Sequence, residues 1–472
     1  MSRRTYITTS IPYVNGDPHV GFALELVQAD VLARHRRALG DDVRFLSGTD
    51  DHALKNVAAA QAAGVPVAEF VRARAERFAA LREPLQLSND DFISTSTDPR
   101  HRPGVERLWR VCAAAGDLTT REYEGLYCSG CEAFVQPDEL RDGLCPEHGT
   151  PPEIVSERNW FFRLSRYQEE LEALVESGRL RIEPEQRRNE ALAFIRSGLE
   201  DFSVSRATER AHGWGIPVPD DPSQVVYVWF DALANYITAL EFGSDGDAYR
   251  RWWRESDERI HVIGKGILRF HAVYWPAILL SAGEPLPTTI FVHDYVTVDG
   301  AKLSKSSGAT ADPAALAERF GGDALRWWFA RSVPRSGDVD FREDLVAGRA
   351  TKLANELGNL VNRTIALAGD ADHAAAIPPG PDVASSFARY DIRAAADAVW
   401  DLVAEANRFV SHSRPWELSG GERDAVVGHL LGVCAVVARE IDPFLPEAAA
   451  RIARALATRD RELGRTLFRK PD

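Results

Sequence analysis

A strand, a breaker-rich loop, a helix and a second strand follow one another within the first 52 residues, and this opening constrains the fold more than any other feature. Thr5-Tyr6-Ile7-Thr8-Thr9 is β-rich. Ile11-Pro12-Tyr13-Val14-Asn15-Gly16-Asp17-Pro18 carries two prolines, an asparagine and a glycine, and reads as a loop. From His19 onward Val20, Leu24, Leu26, Val27 and Val31 recur at helical spacing. Val43-Arg44-Phe45-Leu46 then forms a second strand that ends at Ser47-Gly48-Thr49-Asp50-Asp51-His52. Such a βαβ unit requires parallel pairing, and open parallel sheets bind ligands beyond the carboxyl ends of their strands.

The remainder is too long for one core, at 472 residues in all. Residues 67–116 read as helical, whereas residues 122–149 are short-patterned, Gly-bearing and Cys-rich. Gln224-Val225-Val226-Tyr227-Val228-Trp229-Phe230 and Arg259-Ile260-His261-Val262-Ile263 read as buried strands, so the sheet is expected to resume after an insertion and to continue through residues 288–293. From about Ala350 the pattern is helical to the end, broken near residues 378–381 and at Pro415. No apolar run reaches the roughly 20 residues of a membrane helix, and no signal-peptide core follows Met1, so a cytoplasmic protein without membrane contact is expected. The net charge of −14 argues against a general nucleic-acid binder. Residues 351–472 contribute only −2 of it, so this part approaches a polyanion more easily than the whole.

Five cysteines in a chain of this kind do not suggest a disulfide framework. Cys128-x2-Cys131, thirteen residues, then Cys145-x2-His148 instead forms a four-ligand pattern, with Gly130 and Gly143 supplying the tight turns. Three thiolates and one imidazole suit tetrahedral Zn²⁺, and four protein ligands leave no open position, so the expected zinc is structural.

Lysine is scarce, six against fifty arginines, yet Lys302-Leu303-Ser304-Lys305-Ser306-Ser307-Gly308 holds two lysines within four positions. Two ammonium groups, three hydroxyls and a glycine suit a loop that holds polyphosphate. His19-Val20-Gly21 opens the first helix directly after strand and loop, where free N–H groups and the macrodipole favour anions and Gly21 lets a flat ligand approach the backbone. Alone, His-x-Gly is more often a capping histidine; together with the lysine loop it marks a nucleotide site.

These two segments resemble the HIGH and KMSKS signatures of class I aminoacyl-tRNA synthetases. Ile11–Gly16, the single knuckle, Val228-Trp229-Phe230-Asp231-Ala232-Leu233, Ile263-Gly264-Lys265 and the Asn359/Arg363 helix resemble the methionyl-tRNA synthetases in particular, over nearly the whole chain. The resemblance implies an α/β fold: a split Rossmann-like parallel sheet (1–117 and 223–320), a zinc-knuckle insertion (118–222), a linker or stem-contact segment (321–349) and an all-α anticodon-binding bundle (350–472). It implies activation of methionine with ATP·Mg²⁺ and transfer to tRNA(Met), with positioning and charge stabilisation and no protein nucleophile. His19, Lys302 and Lys305 become the implied catalytic groups. Gly21, Phe22, Gly264, Ser304 and Ser306 join them around ATP. Ile11, Tyr13, Trp229, Ala232, Leu233, Tyr236, Ile267, His271 and Trp275 become the implied amino-acid pocket, with Asp50 on the ammonium. Apolar walls and aromatic rings suit a thioether. Ile267, His271 and Trp275, spaced i, i+4, i+8, share one helical face, as ordinary core residues also do. Asn359, Arg363 and Trp416 become the implied anticodon readers, by stacking and base-edge hydrogen bonds. With the chain ending in the bundle, a monomer is expected.

Four positions depart from the family pattern: Phe22 for the second histidine of HIGH, Ala53 for a glycine, Gly266 for an aspartate and Ala309 for an asparagine. They cluster at the adenylate site. They leave open a ligase that passes an aminoacyl adenylate to a small-molecule acceptor, as in hydrazine-type natural-product biosynthesis, and an inactive tRNA-binding paralogue.

Overall fold

The computed structural model describes residues 2–128, 133–146, 149–298, 301–302, 311–369 and 375–468. The chain opens as strand β1 (Arg4–Thr9), helix α1 (Val20–Ala38), strand β2 (Asp42–Thr49) and helix α2 (Leu54–Ala63). Two compact units result. One comprises Met1–Asp17, Gly40–Ala79 and Asn89–Val292; the other Pro18–Leu39, Ala80–Ser88 and His293–Asp472.

The first unit is built on β1, β2 and eleven further strands. These are β3 (Asp91–Ser94), β4 (Leu118–Cys128), β5 (Ala133–Val135), β6 (Glu153–Phe162), β7 (Arg181–Glu183), β8 (Phe202–Ser203), β9 (Ser205–Ala207), β10 (Pro217–Val218), β11 (Asp221–Val226), β12 (Glu258–Gly264) and β13 (Thr289–His293). A six-stranded Rossmann-like sheet runs β3-β2-β1-β12-β13-β7. β1 pairs parallel with β2 and β12, with Ile7 opposite Phe45 and Ile260; β2 pairs parallel with β3, and β13 with β7. Five of the six residues of β1 are buried without alternation, the signature of a parallel strand covered on both faces. Two of its three threonines find partners inside: Thr8 with His261 and Thr9 with Ser47. Gly48 allows β2 and β3 to approach, since a Cβ there would lie 2.3 Å from the Ile93 carbonyl.

Between β3 and β12 a second sheet, β5-β4-β6-β8, is antiparallel and dominated by the long β4–β6 ladder; a third, β10-β11-β9, is small and antiparallel. Three expectations change here. Residues 67–116 are not one helical stretch: helices Val67–Ala79 and His101–Ala114 flank strand β3, whose four residues are too few to show a period. β11 belongs to the small antiparallel sheet, not to the parallel one. The apolar run beyond it leaves the strand at Val226, and Val228–Asp231 winds into a helix. The edge strand β7 comes from within the insertion and completes the parallel sheet.

The second unit contains α1, a small sheet of β14 (Val296–Val298), β15 (Ala301–Lys302) and β16 (Val339–Asp340), and the helical region. Its helices include Pro313–Phe320, Gly322–Ser332, Glu343–Lys352, Asn359–Ala368, Ile392–Ser413, Gly420–Ile441 and Pro446–Thr458. The breaks expected near residues 378–381 and Pro415 separate the later ones. Arg326 lies fully buried at its centre and donates to the carbonyls of Phe444, Leu85 and Pro443 at 2.7–2.9 Å. Its fourth partner is the equally buried Asp30 of α1, at 2.8 Å. Burial opposes the Asp30 charge, but Arg326 and Arg34 outweigh it and hold the carboxyl below its usual range. No helix among the described residues is long and apolar enough to cross a membrane.

Candidate active site

The loops that leave β1, β2 and β12 carry Ile11 and Tyr13, Asp50, and Lys265 to Ile267, all at the carboxyl edge of the parallel sheet. Tyr13 and Asp50 are joined by a backbone bridge, and the Asp50 N–H donates to Pro12 O at 3.0 Å. Ile11, Tyr13, Trp229 and Ala232 meet Ala53, Tyr227 and Val228 in one apolar cluster. The helical turn at Val228–Asp231 explains how neighbouring residues serve different surroundings. A strand would put Trp229 and Asp231 on one face; the turn instead sends Trp229 and Ala232 to this cluster, Phe230 to the core and Asp231 to a pair of histidines, His52 and the buried His101.

Leu233, Tyr236, His271 and Trp275 are buried, and Ile267 and Trp229 pack against the main core that holds Leu233, Tyr236 and Trp275. The Tyr236 ring lies 5.8 Å from His271 and 5.9 Å from Trp275. A π-turn at Phe270–Tyr274 carries His271 and leads into the helix that begins at Trp275. His271 Nδ1 faces the Ile267 carbonyl at 2.9 Å, so Nδ1 bears the proton and Nε2 accepts the Tyr236 hydroxyl at 2.7 Å. The Trp275 indole N–H donates to His261 Nε2 at 3.2 Å, which leaves His261 Nδ1–H to meet Thr8 Oγ1 at 2.7 Å. Burial above all, with His271 and Arg259 nearby, pushes His261 well below its ordinary pKa and keeps it neutral. These polar atoms therefore saturate one another. The Trp229 indole N–H, by contrast, is buried with no hydrogen-bond partner among the described residues, and its ring stacks on Phe270 at 3.7 Å. An apolar chain with a weak acceptor fits such walls.

Asp50 is 2% exposed and its Oδ1 accepts the His52 N–H at 3.1 Å. His52 Nδ1 lies 2.6 Å from Asp231 Oδ2, and His101 Nε2 lies 2.5 Å from Asp231 Oδ1. His101 Nδ1 continues to Thr238 Oγ1 at 2.8 Å. Burial disfavours the His52 charge, but Asp231 outweighs it and raises the ring above its ordinary pKa. Burial likewise opposes the Asp231 charge, and the two histidines outweigh it and hold the carboxyl well below its usual range. Asp231, His101, His261 and Phe270 are absent from the sequence-derived set, since nothing local distinguishes them from core residues.

His19 sits at the N-cap of α1, where its Nδ1 accepts the Gly21 N–H at 3.1 Å. The first turn of α1 carries no acid, and the Val20 N–H donates to Ala311 O at 3.2 Å. The backbone thus ties the start of α1 to the residue just after the lysine-rich loop. Phe22 is buried on α1. Lys302 ends β15; Ser304, Lys305, Ser306 and Ala309 lie outside the described residues. Gly264 closes β12, and Gly266 is exposed in the turn that follows.

Cys128 ends β4, where it pairs with Ala133 of β5, and it shares a small buried cluster with Cys145 and Val135. Backbone bonds from Cys145 N to Thr150 O and from Gly149 N to Cys145 O close the second turn. Cys131 and His148 lie outside the described residues, and among those described no group of three or more metal-binding side chains forms. Asn359 and Arg363 are exposed one turn apart on their helix, and Trp416 is 61% exposed after Pro415.

The family model for class I tRNA synthetases of the M type matches residues 5–151 and 129–365. A methionine--tRNA ligase of Mycobacterium bovis is 41% identical over 477 aligned residues, covering 95% of this chain and 91% of the relative. One from Brucella suis is 40% identical over 484, covering 97% and 92%. Among solved structures, Mycobacterium tuberculosis methionyl-tRNA synthetase in complex with methionyl-adenylate superimposes with a TM-score of 0.87 at 39% identity, covering 96% of this chain and 93% of that one. The apo form of that enzyme gives a TM-score of 0.80 at 36% identity, covering 96% and 91%.

Proposed function

The chain belongs to the methionyl-tRNA synthetases of class I and is a methionine--tRNA ligase, and from that premise we propose how its residues divide the work. The methionine side chain enters the cluster of Ile11, Tyr13, Trp229 and Ala232 and lies against Leu233, Tyr236, Ile267, His271 and Trp275. Asp50 takes the ammonium. The supporting observation is the pocket's hydrogen-bond economy: Tyr236 with His271 and Trp275 with His261 are mutually satisfied, while the buried Trp229 N–H has no hydrogen-bond partner among the described residues. A thioether, apolar with a weakly accepting sulfur, matches both halves of that pattern.

The methionine carboxylate attacks the α-phosphate of ATP·Mg²⁺ and pyrophosphate leaves; a tRNA(Met) terminal ribose hydroxyl then displaces AMP. By the family resemblance His19, Gly21, Phe22 and Gly264 are the residues assigned to ATP, and Lys302, Ser304, Lys305 and Ser306 those assigned to the departing phosphates. Methionine-dependent ATP–pyrophosphate exchange over the twenty amino acids tests this: methionine alone is expected to support it. Exchange with a different amino acid would replace this reading with the small-molecule ligase, and silence with all of them would favour the tRNA-binding paralogue.

Zinc fits the knuckle because two of the expected ligands, Cys128 at the end of β4 and Cys145, are buried in one small cluster. Cys128, Cys131, Cys145 and His148 would hold it, and it would cross-link the insertion without entering the reaction. About one zinc per chain is expected by elemental analysis, and Cys145→Ser should abolish it.

Asn359, Arg363 and Trp416 read the anticodon in this account. An exposed tryptophan beyond a helix-breaking proline is a stacking platform. Trp416→Ala should raise the KM for tRNA(Met) by about tenfold or more, in line with the worth of base stacking. Pyrophosphate exchange without tRNA should be unchanged. A fall in both would assign Trp416 to packing.

A further inference from the structure

The Asp50 carboxylate takes its bearing from the backbone: the His52 N–H donates to Asp50 Oδ1 at 3.1 Å. That N–H belongs to the peptide between Asp51 and His52, a planar unit whose carbonyl points the opposite way. The carbonyl has a partner of its own. The Trp214 indole N–H donates to Asp51 O at 2.8 Å, and the Trp214 ring meets the His52 ring edge-on, with centroids 5.8 Å apart. A bond to the carbonyl fixes the rotation of the peptide plane and polarises the N–H at its far end. Both the direction and the strength of the contact on Asp50 therefore depend on it. The rest of the turn is tied down as well: Thr95 Oγ1 accepts the Asp51 N–H at 2.9 Å, and the Asn56 side chain donates to Asp50 O at 3.0 Å.

Trp214 comes from outside the parallel sheet, on the loop between β9 and β10 of the insertion. A tight turn presents it, with φ of 51° at His212, 71° at Gly213 and 135° at Gly215. The N–H groups of His212, Gly213 and Trp214 close that turn on Glu209 O, Thr208 O and Ala211 O at 2.8–3.0 Å. A histidine at positive φ is uncommon and persists where its surroundings impose it. We propose that Trp214 is a positioning residue for the ammonium end of the amino-acid site: by holding the Asp51 carbonyl it sets the peptide whose N–H orients Asp50. The inference rests on the reading of Asp50 as the ammonium's partner and adds the residue of the insertion that keeps Asp50 in place.

The test is equilibrium binding to the full chain without ATP, of methionine and of its deamino analogue, which keeps the side chain and carboxylate but lacks the ammonium. Trp214→Phe retains a ring beside His52 and removes the N–H. It should weaken methionine by about three- to tenfold, the net worth of one hydrogen bond, and leave the deamino analogue unchanged. On an Asp50→Asn background the same substitution should add no further loss for methionine, because the two residues act through one contact. Equal weakening of both ligands would overturn the proposal and make Trp214 a support of the fold around the pocket. So would losses that add in the double variant, or methionine binding that Trp214→Phe leaves intact. A wild-type chain that bound methionine no better than the deamino analogue would overturn the reading of Asp50 itself, and this proposal with it.

Discussion

His19→Ala is expected to lower methionine-dependent ATP–pyrophosphate exchange by about 10²–10³-fold, the usual loss when one pre-placed donor to a developing charge is removed. His19 Nδ1 accepts the Gly21 N–H, so a neutral ring carries its proton on Nε2 and is held at a fixed angle at the start of α1. The helix begins there without an acid in its first turn, leaving the positive end of the macrodipole for phosphate. The histidine therefore has two roles, cap and donor, and they separate by substitution. Alanine loses both; the cap alone is worth about 1 kcal/mol of stability. His19→Asn keeps a side-chain oxygen for the cap but has no imidazole N–H in that place. Asparagine should restore the thermal midpoint and leave the exchange rate low. If asparagine restores the rate as well, His19 is a cap and no more. Methionine binding should be untouched in either variant.

The opening of the chain is legible because its signals are local. A breaker-rich loop, then uninterrupted helical spacing from His19, defines α1, and Val43–Leu46 next to Asp50 defines β2. Residues 224–230 are different. Their β-branched and aromatic composition suits a strand, and the contacts that turn residues 228–231 into a helix are remote: Asp231 meets His52 across 179 positions and His101 across 130. The same remoteness hides β3 and β7, strands of four and three residues that only their neighbours stabilise. At the site, Ile11, Tyr13, Trp229 and Ala232 are drawn from the sequence by resemblance and meet in one cluster, whereas Phe270, which stacks on Trp229, sits in an apolar helical run like any core residue. Ala53 reads as a departure near the nucleotide, but its methyl packs in the amino-acid cluster.

Asp231→Asn is expected to destabilise the chain by about 3–5 kcal/mol, the range for breaking one partner out of a buried ion pair. Asp231 is 1% exposed and has a histidine on each oxygen, and an amide can accept on one side only. The pH dependence identifies the cause. Asp231 has a depressed pKa in the fold, so its contribution is present above the unfolded carboxyl value of about 3.9 and fades as pH falls through the lower folded value. His52 has a raised pKa, so its contribution is complete below the unfolded imidazole value of about 6.5 and fades as pH rises through the higher folded value. The destabilisation by Asp231→Asn should therefore be greatest between about pH 4 and 6.5 and shrink on both sides, as read from denaturant midpoints across pH. A pH-independent loss would mean that shape, not charge, holds the helical turn at Val228–Asp231. The same turn delivers Trp229 and Ala232 to the pocket, and His52 supports Asp50 through its N–H, so the variant should also raise the KM for methionine. That coupling makes the buried triad part of the site's construction: the charges that fold the turn also set where the substrate's side chain and ammonium are received.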